Sequence, residues 1–96
     1  MTDLYLRDNN ITNIDYLKGL TNLEVLHIQN NQVQNISVLG NLKKLKDLGI
    51  ENNLINDITP LTKLVNLERL NIWGNNINKN QIDELKKALP KCAISS

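Results

Sequence analysis

Leu45-Lys46-Asp47-Leu48-Gly49-Ile50-Glu51-Asn52-Asn53-Leu54-Ile55-Asn56-Asp57-Ile58-Thr59-Pro60-Leu61-Thr62-Lys63-Leu64-Val65-Asn66-Leu67 begins and ends on the same phase of a 22-residue period. The period extends in both directions. Leu23, Leu45, Leu67 and Leu89 share one phase, with Met1 in it at the start. Leu4, Leu26, Leu48, Leu70 and Cys92 come next, then Leu6, Ile28, Ile50, Ile72 and Ile94. Asn9, Asn31, Asn53 and Asn75 follow, then Ile11, Val33, Ile55 and Ile77. The first three periods go on through Ile14, Ile36 and Ile58, then Leu17, Leu39 and Leu61, then Leu20, Leu42 and Leu64. No insertion breaks the register. Self-similarity at a fixed short period is the mark of stacked supersecondary units that share one core.

The spacing inside one period gives the local structure. Leu26-His27-Ile28 alternates with period two, which predicts a short strand with one buried face. Its equivalent 22 residues on lies beside it in parallel. The Asn that follows turns the chain. Its side-chain amide is expected to be buried and to bond backbone groups that the bend leaves without partners. Beyond it the apolar residues recur every three, as in Ile55, Ile58, Leu61 and Leu64, a spacing that suits a tight 3₁₀ return.

Ile55-Asn56-Asp57-Ile58-Thr59-Pro60-Leu61 followed by Leu64-Val65-Asn66-Leu67 resembles the bacterial internalin-type leucine-rich repeat. The eukaryotic phosphatase-regulatory repeats share a nearly identical period. The resemblance covers residues 1–77 closely. It implies an α/β solenoid: a right-handed leucine-rich-repeat coil with parallel strands on the concave face and short 3₁₀ returns on the convex face. It also implies partners bound by outward residues of the strands and the turns after them. On this reading residues 1–96 form one domain, with repeats 1–22, 23–44, 45–66 and 67–88 and a terminal edge strand at 89–96.

The last period departs from the pattern. Ile82, Leu85 and Leu89 share a helical face, Asn80 is the expected N-cap, Asp83 and Glu84 fall in the first turn and Lys86 and Lys87 in the last. Pro90 ends the segment. It reads as a C-terminal α-helical cap and resembles the endings of ribonuclease-inhibitor-type repeats. No matching cap appears at the front. Leu4, Leu6, Ile11, Ile14, Leu17 and Leu20 are expected to show one side each, which costs several kcal/mol at ~25 cal/mol per Å². The chain therefore reads as the C-terminal part of a longer array, or as one whose first repeat self-associates or packs on another molecule.

Composition narrows the function. Eleven basic and ten acidic residues are mixed along the chain for a net charge of +1. That denies the basic stripe a nucleic-acid binder needs. No apolar run approaches the ~20 residues of a membrane span, so membrane insertion is not expected. Residues 1–10 carry no basic-then-apolar signal pattern. One cysteine excludes an internal disulfide. Catalysis needs a nucleophile, a base and a charge stabiliser in one pocket. Here the only His, His27, points outward and the only Cys, Cys92, falls in an inward phase. The four glycines are scattered, so no phosphate loop forms. His27, Asp47 and Glu51 could approach one another, but they read as a solvated surface trio, with no metal and no cofactor. The sequons at Asn10-Ile11-Thr12 and Asn35-Ile36-Ser37 fall out of the repeat itself. No enzyme is expected.

The outward strand positions form columns. Asp3, Val25, Asp47, Arg69 and Lys91 make the first; Tyr5, His27, Gly49, Asn71 and Ala93 the second; Arg7, Gln29, Glu51, Trp73 and Ser95 the third. Tyr5 and Trp73 are two of only three aromatics, and Arg69 should lie beside Trp73. Tyr, Trp and Arg are enriched in interface hot spots. The expected partner-binding set is Tyr5, Arg7, His27, Gln29, Asp47, Glu51, Arg69, Asn71 and Trp73. The third aromatic, Tyr16, should pack on the convex return. Two readings remain: a protein-interaction module of a bacterial surface or secreted protein, favoured over a cytoplasmic one, or a spacer or cap for a neighbouring domain.

Overall fold

The computed structural model describes residues 1–96. Five three-residue strands, β1 (Asp3–Tyr5), β2 (Val25–His27), β3 (Asp47–Gly49), β4 (Arg69–Asn71) and β5 (Ala93–Ser95), form one parallel sheet in sequence order. Three 3₁₀ returns, Asp15–Gly19, Ser37–Asn41 and Thr59–Lys63, line the opposite side. A single helix, α1 (Lys79–Ala88), replaces the fourth return. The molecule is an α/β solenoid.

Each side of the coil satisfies its own backbone. In the returns the Leu17, Leu39 and Leu61 amides donate three residues back, to the Ile14, Ile36 and Ile58 carbonyls at 3.0 Å each. Between strands and returns the chain bends through Asn31 and Asn53. Asn31 Nδ2 donates to the carbonyls of Ile28 (2.9 Å), Gln29 (3.2 Å) and, in the preceding coil, Leu6 (3.0 Å), while its Oδ1 accepts the Ile11 amide at 3.0 Å. Asn53 repeats this with Ile50, Glu51 and Ile28 carbonyls and the Val33 amide. Each side chain thus stitches two coils.

Burial of the four asparagines is uneven, a correction to the expectation that all are enclosed. Asn31 and Asn53 are buried, Asn75 is half-buried and Asn9 is exposed. Asn9, in the first coil, bonds only the Leu6 and Arg7 carbonyls. Asn75 faces the helical coil and keeps the full set of bonds, to Ile50, Ile72 and Trp73 carbonyls and the Ile55 amide.

A second ladder runs one residue earlier. Asp8, Asn30 and Asn52 adopt left-handed φ of 59°, 61° and 56°, and Gly74 has φ of 75°. Asn and Asp tolerate this region better than other side chains. Asn30 Nδ2 donates to Asp8 Oδ1 at 2.7 Å, and Asn52 Nδ2 to Asn30 Oδ1 at 2.9 Å. The ladder stops at Gly74, where a Cβ would collide with Asn52 Oδ1.

The core is a cluster of 22 buried apolar residues, all Leu, Ile or Val. At the open front, Leu4, Leu6, Ile11 and Leu20 are half-buried, but Ile14 and Leu17 are fully enclosed. Four side chains, not six, are left showing one side, because the first return folds back against the second.

The helical coil differs in two ways from its sequence reading. Its N-cap is Asn78, whose Oδ1 accepts the Gln81 amide at 2.9 Å; Asn80 already lies inside the helix, and the first turn holds no acidic residue. Its strand is also shifted. β1 to β4 pair at 22-residue offsets, but Leu70 pairs with Ile94 and Arg69 with Ala93, an offset of 24. An α-helix rises less per residue than a 3₁₀ turn, so the last coil consumes two more residues. A shift of two preserves the alternation of faces, so Ile94 still points inward. Leu89 and Cys92 occupy the places of Leu64 and Leu67: the Cys92 amide donates to Leu89 O as the Leu67 amide does to Leu64 O, both at 3.1 Å. Lys91 therefore leaves the first outward column and Ala93 takes its place, with Ser95 beside Asn71. Gln81 binds the cap to the stack, its Oε1 accepting the Ile58 amide at 2.9 Å and its Nε2 donating to Asn56 O at 3.2 Å.

Candidate functional site

The solvent side of the strands carries a connected row of polar and aromatic groups. Tyr5 on β1 meets His27 on β2 edge-to-face, with ring centroids 5.2 Å apart and planes at 82°. His27 Nε2 lies 3.3 Å from Asp47 Oδ1, at ion-pair distance but outside hydrogen-bond alignment. Asp47 Oδ2 accepts from Arg69 Nη2 at 3.3 Å. The row thus crosses four strands through side chains one coil apart. Arg69 turns toward Asp47 rather than lying on Trp73, because the carboxylate one strand away offers a charged partner and the indole does not.

The turn positions beyond the strands form a second row. Gln29 and Glu51 are half-buried, with their backbone carbonyls held by Asn31 and Asn53. Asn71 Nδ2 donates weakly to Glu51 Oε2 at 3.5 Å. Trp73 is 45% exposed and Tyr5 59%. Arg7 is exposed and pairs with Asp8 at 3.3 Å, which points it along the turn. Of the nine expected residues, Tyr5, His27, Asp47 and Arg69 come together in one row and Glu51 and Asn71 in another. Arg7 and Trp73 stand apart at opposite ends.

Elsewhere there is little chemistry. Open grooves lie on the convex side, between Asn35, Ser37, Asp57 and Pro60 and between Thr59, Thr62, Asn78 and Gln81. In the first, hydrogen bonds from the Thr59 amide and hydroxyl hold the Asp57 carboxyl below the usual range. Cys92 is half-buried and its thiol pKa is pushed up by burial. It packs against the core, and its Sγ donates a weak hydrogen bond to the Ala93 carbonyl at 3.9 Å. No three His, Cys, Asp or Glu side chains converge on a point that could hold a metal ion. Tyr16 stands out from the convex side at 60% exposure instead of packing there.

The family model for leucine-rich repeats in two copies matches residues 1–41 and 21–63, and the single-repeat model matches residues 66–88. The chain belongs to the leucine-rich repeat family. Its type is bacterial and internalin-like. A leucine-rich repeat protein of Leptospira interrogans is 33% identical over 100% of the chain with a TM-score of 0.88. An internalin of Listeria monocytogenes is 29% identical over 99% with a TM-score of 0.93, and internalin C2 of the same organism 41% identical over 99% with a TM-score of 0.84. No curated protein matches the sequence. The chain spans 25%, 28% and 42% of these three solved chains. Leucine-rich repeats serve generally as protein-interaction modules. In this one, the strands of the sheet are paired in sequence order, and the asparagine ladder ties the turns that follow β1 to β4. No helix is long and apolar enough to cross a membrane.

Proposed function

We infer that this leucine-rich repeat chain is a protein-interaction module that binds its partner on the concave strand face. The observation that carries the reading is the exposure of Tyr5 on β1 and Trp73 just after β4, on coils tied together by backbone and asparagine hydrogen bonds. Large aromatics on a preorganised surface contribute contact area at low entropic cost. Between them the Tyr5–His27–Asp47–Arg69 row supplies polar specificity. Residues Arg7, Gln29, Glu51 and Asn71 complete the surface. The expected partner is a protein, not nucleic acid, and no cofactor or catalytic step is involved. A bacterial secreted or surface protein is the parent this reading favours.

The strand face is small. Five strands at ~4.8 Å and about five residues of strand give a strip of order 300 Å², against about 800 Å² per partner in a typical specific complex. Binding by this strip alone is therefore expected to be weak. A photo-crosslinking residue placed at Trp73 or Tyr5, and separately at the convex Lys18 or Lys63, tests the assignment in the native host. The concave positions should capture one common protein and the convex ones should not. Capture from Lys18 and Lys63 alone would overturn it.

A further inference from the structure

We propose that the outer edge of β1 is an interface for a second copy of this chain: two first strands pair antiparallel, centred on Tyr5, and close a two-fold dimer. The sheet order places β2 on one side of β1 and no strand on the other. Which backbone groups address that outer side follows from those already in use. Thr2 O accepts the Val25 amide at 3.0 Å, and the Leu6 and Asp8 amides donate to the His27 and Gln29 carbonyls at 2.8 and 3.1 Å. Even-numbered residues therefore address β2, and the N–H and C=O groups of Asp3, Tyr5 and Arg7 address the outer edge. An edge row of this kind is a template for a further strand. Leu4, Leu6, Ile11 and Leu20 lie half-buried against the core behind it.

The side chains select the occupant and the register. Asp3, Tyr5 and Arg7 set an acid, an aromatic ring and a base in order along the edge, all exposed. Read about Tyr5, the strand is self-complementary. A two-fold rotation there sets Asp3 opposite the partner's Arg7, Leu4 opposite the partner's Leu6, and Tyr5 opposite itself. The outward residues are then the hydrogen-bonded pairs, each exchanging both N–H···O bonds, and the leucines are the closer non-bonded pairs. Centring on Asp3 or Arg7 instead would put like charges directly opposite, which is destabilising. Centring on Leu4 or Leu6 would set Tyr5 against Asp3 or Arg7 and match neither charge. Both charges are available. Asp3 accepts only the Thr2 hydroxyl, at 3.1 Å, and Arg7 gives Asp8 its Nε at 3.3 Å, which leaves its terminal nitrogens. The same rotation carries Ile11, after the strand, toward the partner's Leu20, before its next strand. Stacking β5 of another copy on this edge in the register of the sheet would instead set Ala93 and Ser95 beside Asp3 and Tyr5, with no countercharge, and would not close. The closed dimer joins two five-stranded sheets into one face, with Tyr5 and His27 of both copies at its middle.

Sedimentation velocity on the 96-residue chain, from about 10 µM to about 1 mM, tests this. The parent should reach a dimer and stop there. Asp3→Arg and Arg7→Asp each place like charges at two symmetric positions and should weaken dimerisation about tenfold or more. An equimolar mixture of the two variants restores opposite charges at both positions and should dimerise again, as should the double variant. Both residues are exposed, so the unfolding midpoints should stay near the parent's, and recovery in the mixture shows that each variant is folded. The proposal is overturned by a parent that stays monomeric throughout, by oligomers that keep growing with concentration, by single variants that dimerise as the parent does, or by a mixture no more associated than either variant alone. None of these outcomes depends on what the strand face binds, so the dimer can fail while that face stands.

Discussion

Asn53 carries five hydrogen bonds across three coils from a position 5% exposed: three donated and one accepted by its side chain, and one made by its own amide to Asn75 Oδ1 at 3.2 Å. Removing its side chain strands the Val33 amide in the interior, while the Ile28 and Ile50 carbonyls each lose one of two donors and keep Asn31 and Asn75. Asn53→Ala is expected to lower stability by ~1–3 kcal/mol, read as a shift in the urea midpoint. Asn9→Ala, at an exposed copy of the same position, should cost ~0.5 kcal/mol or less, because water replaces its bonds. Equal midpoint shifts for the two would refute the stitching role. Cys92 offers a second test at this scale. Burial raises its pKa, so at mildly alkaline pH less of it is thiolate than in a free cysteine. Its reaction with a thiol reagent should be slower than that of a short peptide and should accelerate as pH rises. A rate equal to the peptide's would place the thiol in water. The inward and outward positions were legible from the sequence, because alternation depends only on the backbone. Which asparagine is enclosed was not legible, since that depends on whether a coil lies on each side.

The elements divide into those that follow the repeat and one that does not. Strands and 3₁₀ returns could be read from apolar spacing at two and three residues, and each recurs where the period puts it for three coils. The helical coil was legible in kind but not in register. Its cap could be Asn78 or Asn80 on residue type alone. The choice is made by Gln81, which must sit where it can bind Ile58 and Asn56 of the preceding return. Asn78→Ala should therefore lower stability by ~1 kcal/mol in thermal unfolding, with Asn80→Ala well below that; the reverse order would move the cap. The left-handed ladder was not legible either, because Asn30 and Asn52 look like any Asn in a turn until their φ values and mutual bonds are seen. Gly74 ends it for a steric reason. Gly74→Ala is expected to cost ~1–2 kcal/mol, from the positive φ together with the collision with Asn52. Unchanged stability would mean that the turn can reshape.

At the scale of the 96 residues the two ends of the coil differ. α1 covers the last coil, while Leu4, Leu6, Ile11 and Leu20 show one side each at β1. A half-buried apolar edge beside unpaired strand groups templates association. The chain is expected to self-associate through residues 1–22 at high concentration in sedimentation velocity, and a version extended by one upstream repeat should associate less. Equal association of the two would clear the edge of responsibility. The proposed binding face lies on the strand side of the coil, and its residues are drawn from four coils, the first of which carries that edge. The sequence could name them, because the register decides which side chains face outward. It could not show that Arg69 turns to Asp47, because that depends on a neighbour one coil away. The central claim is that this face, not the returns, carries binding. It is tested most directly by the partner's dissociation constant for Trp73→Ala beside Lys63→Ala, both checked for unchanged unfolding midpoints. Trp73→Ala should weaken binding by ~2 kcal/mol or more and Lys63→Ala by almost nothing; a partner indifferent to Trp73, Tyr5 and Arg69 but lost with Lys18 or Lys63 would put function on the convex side and contradict the account.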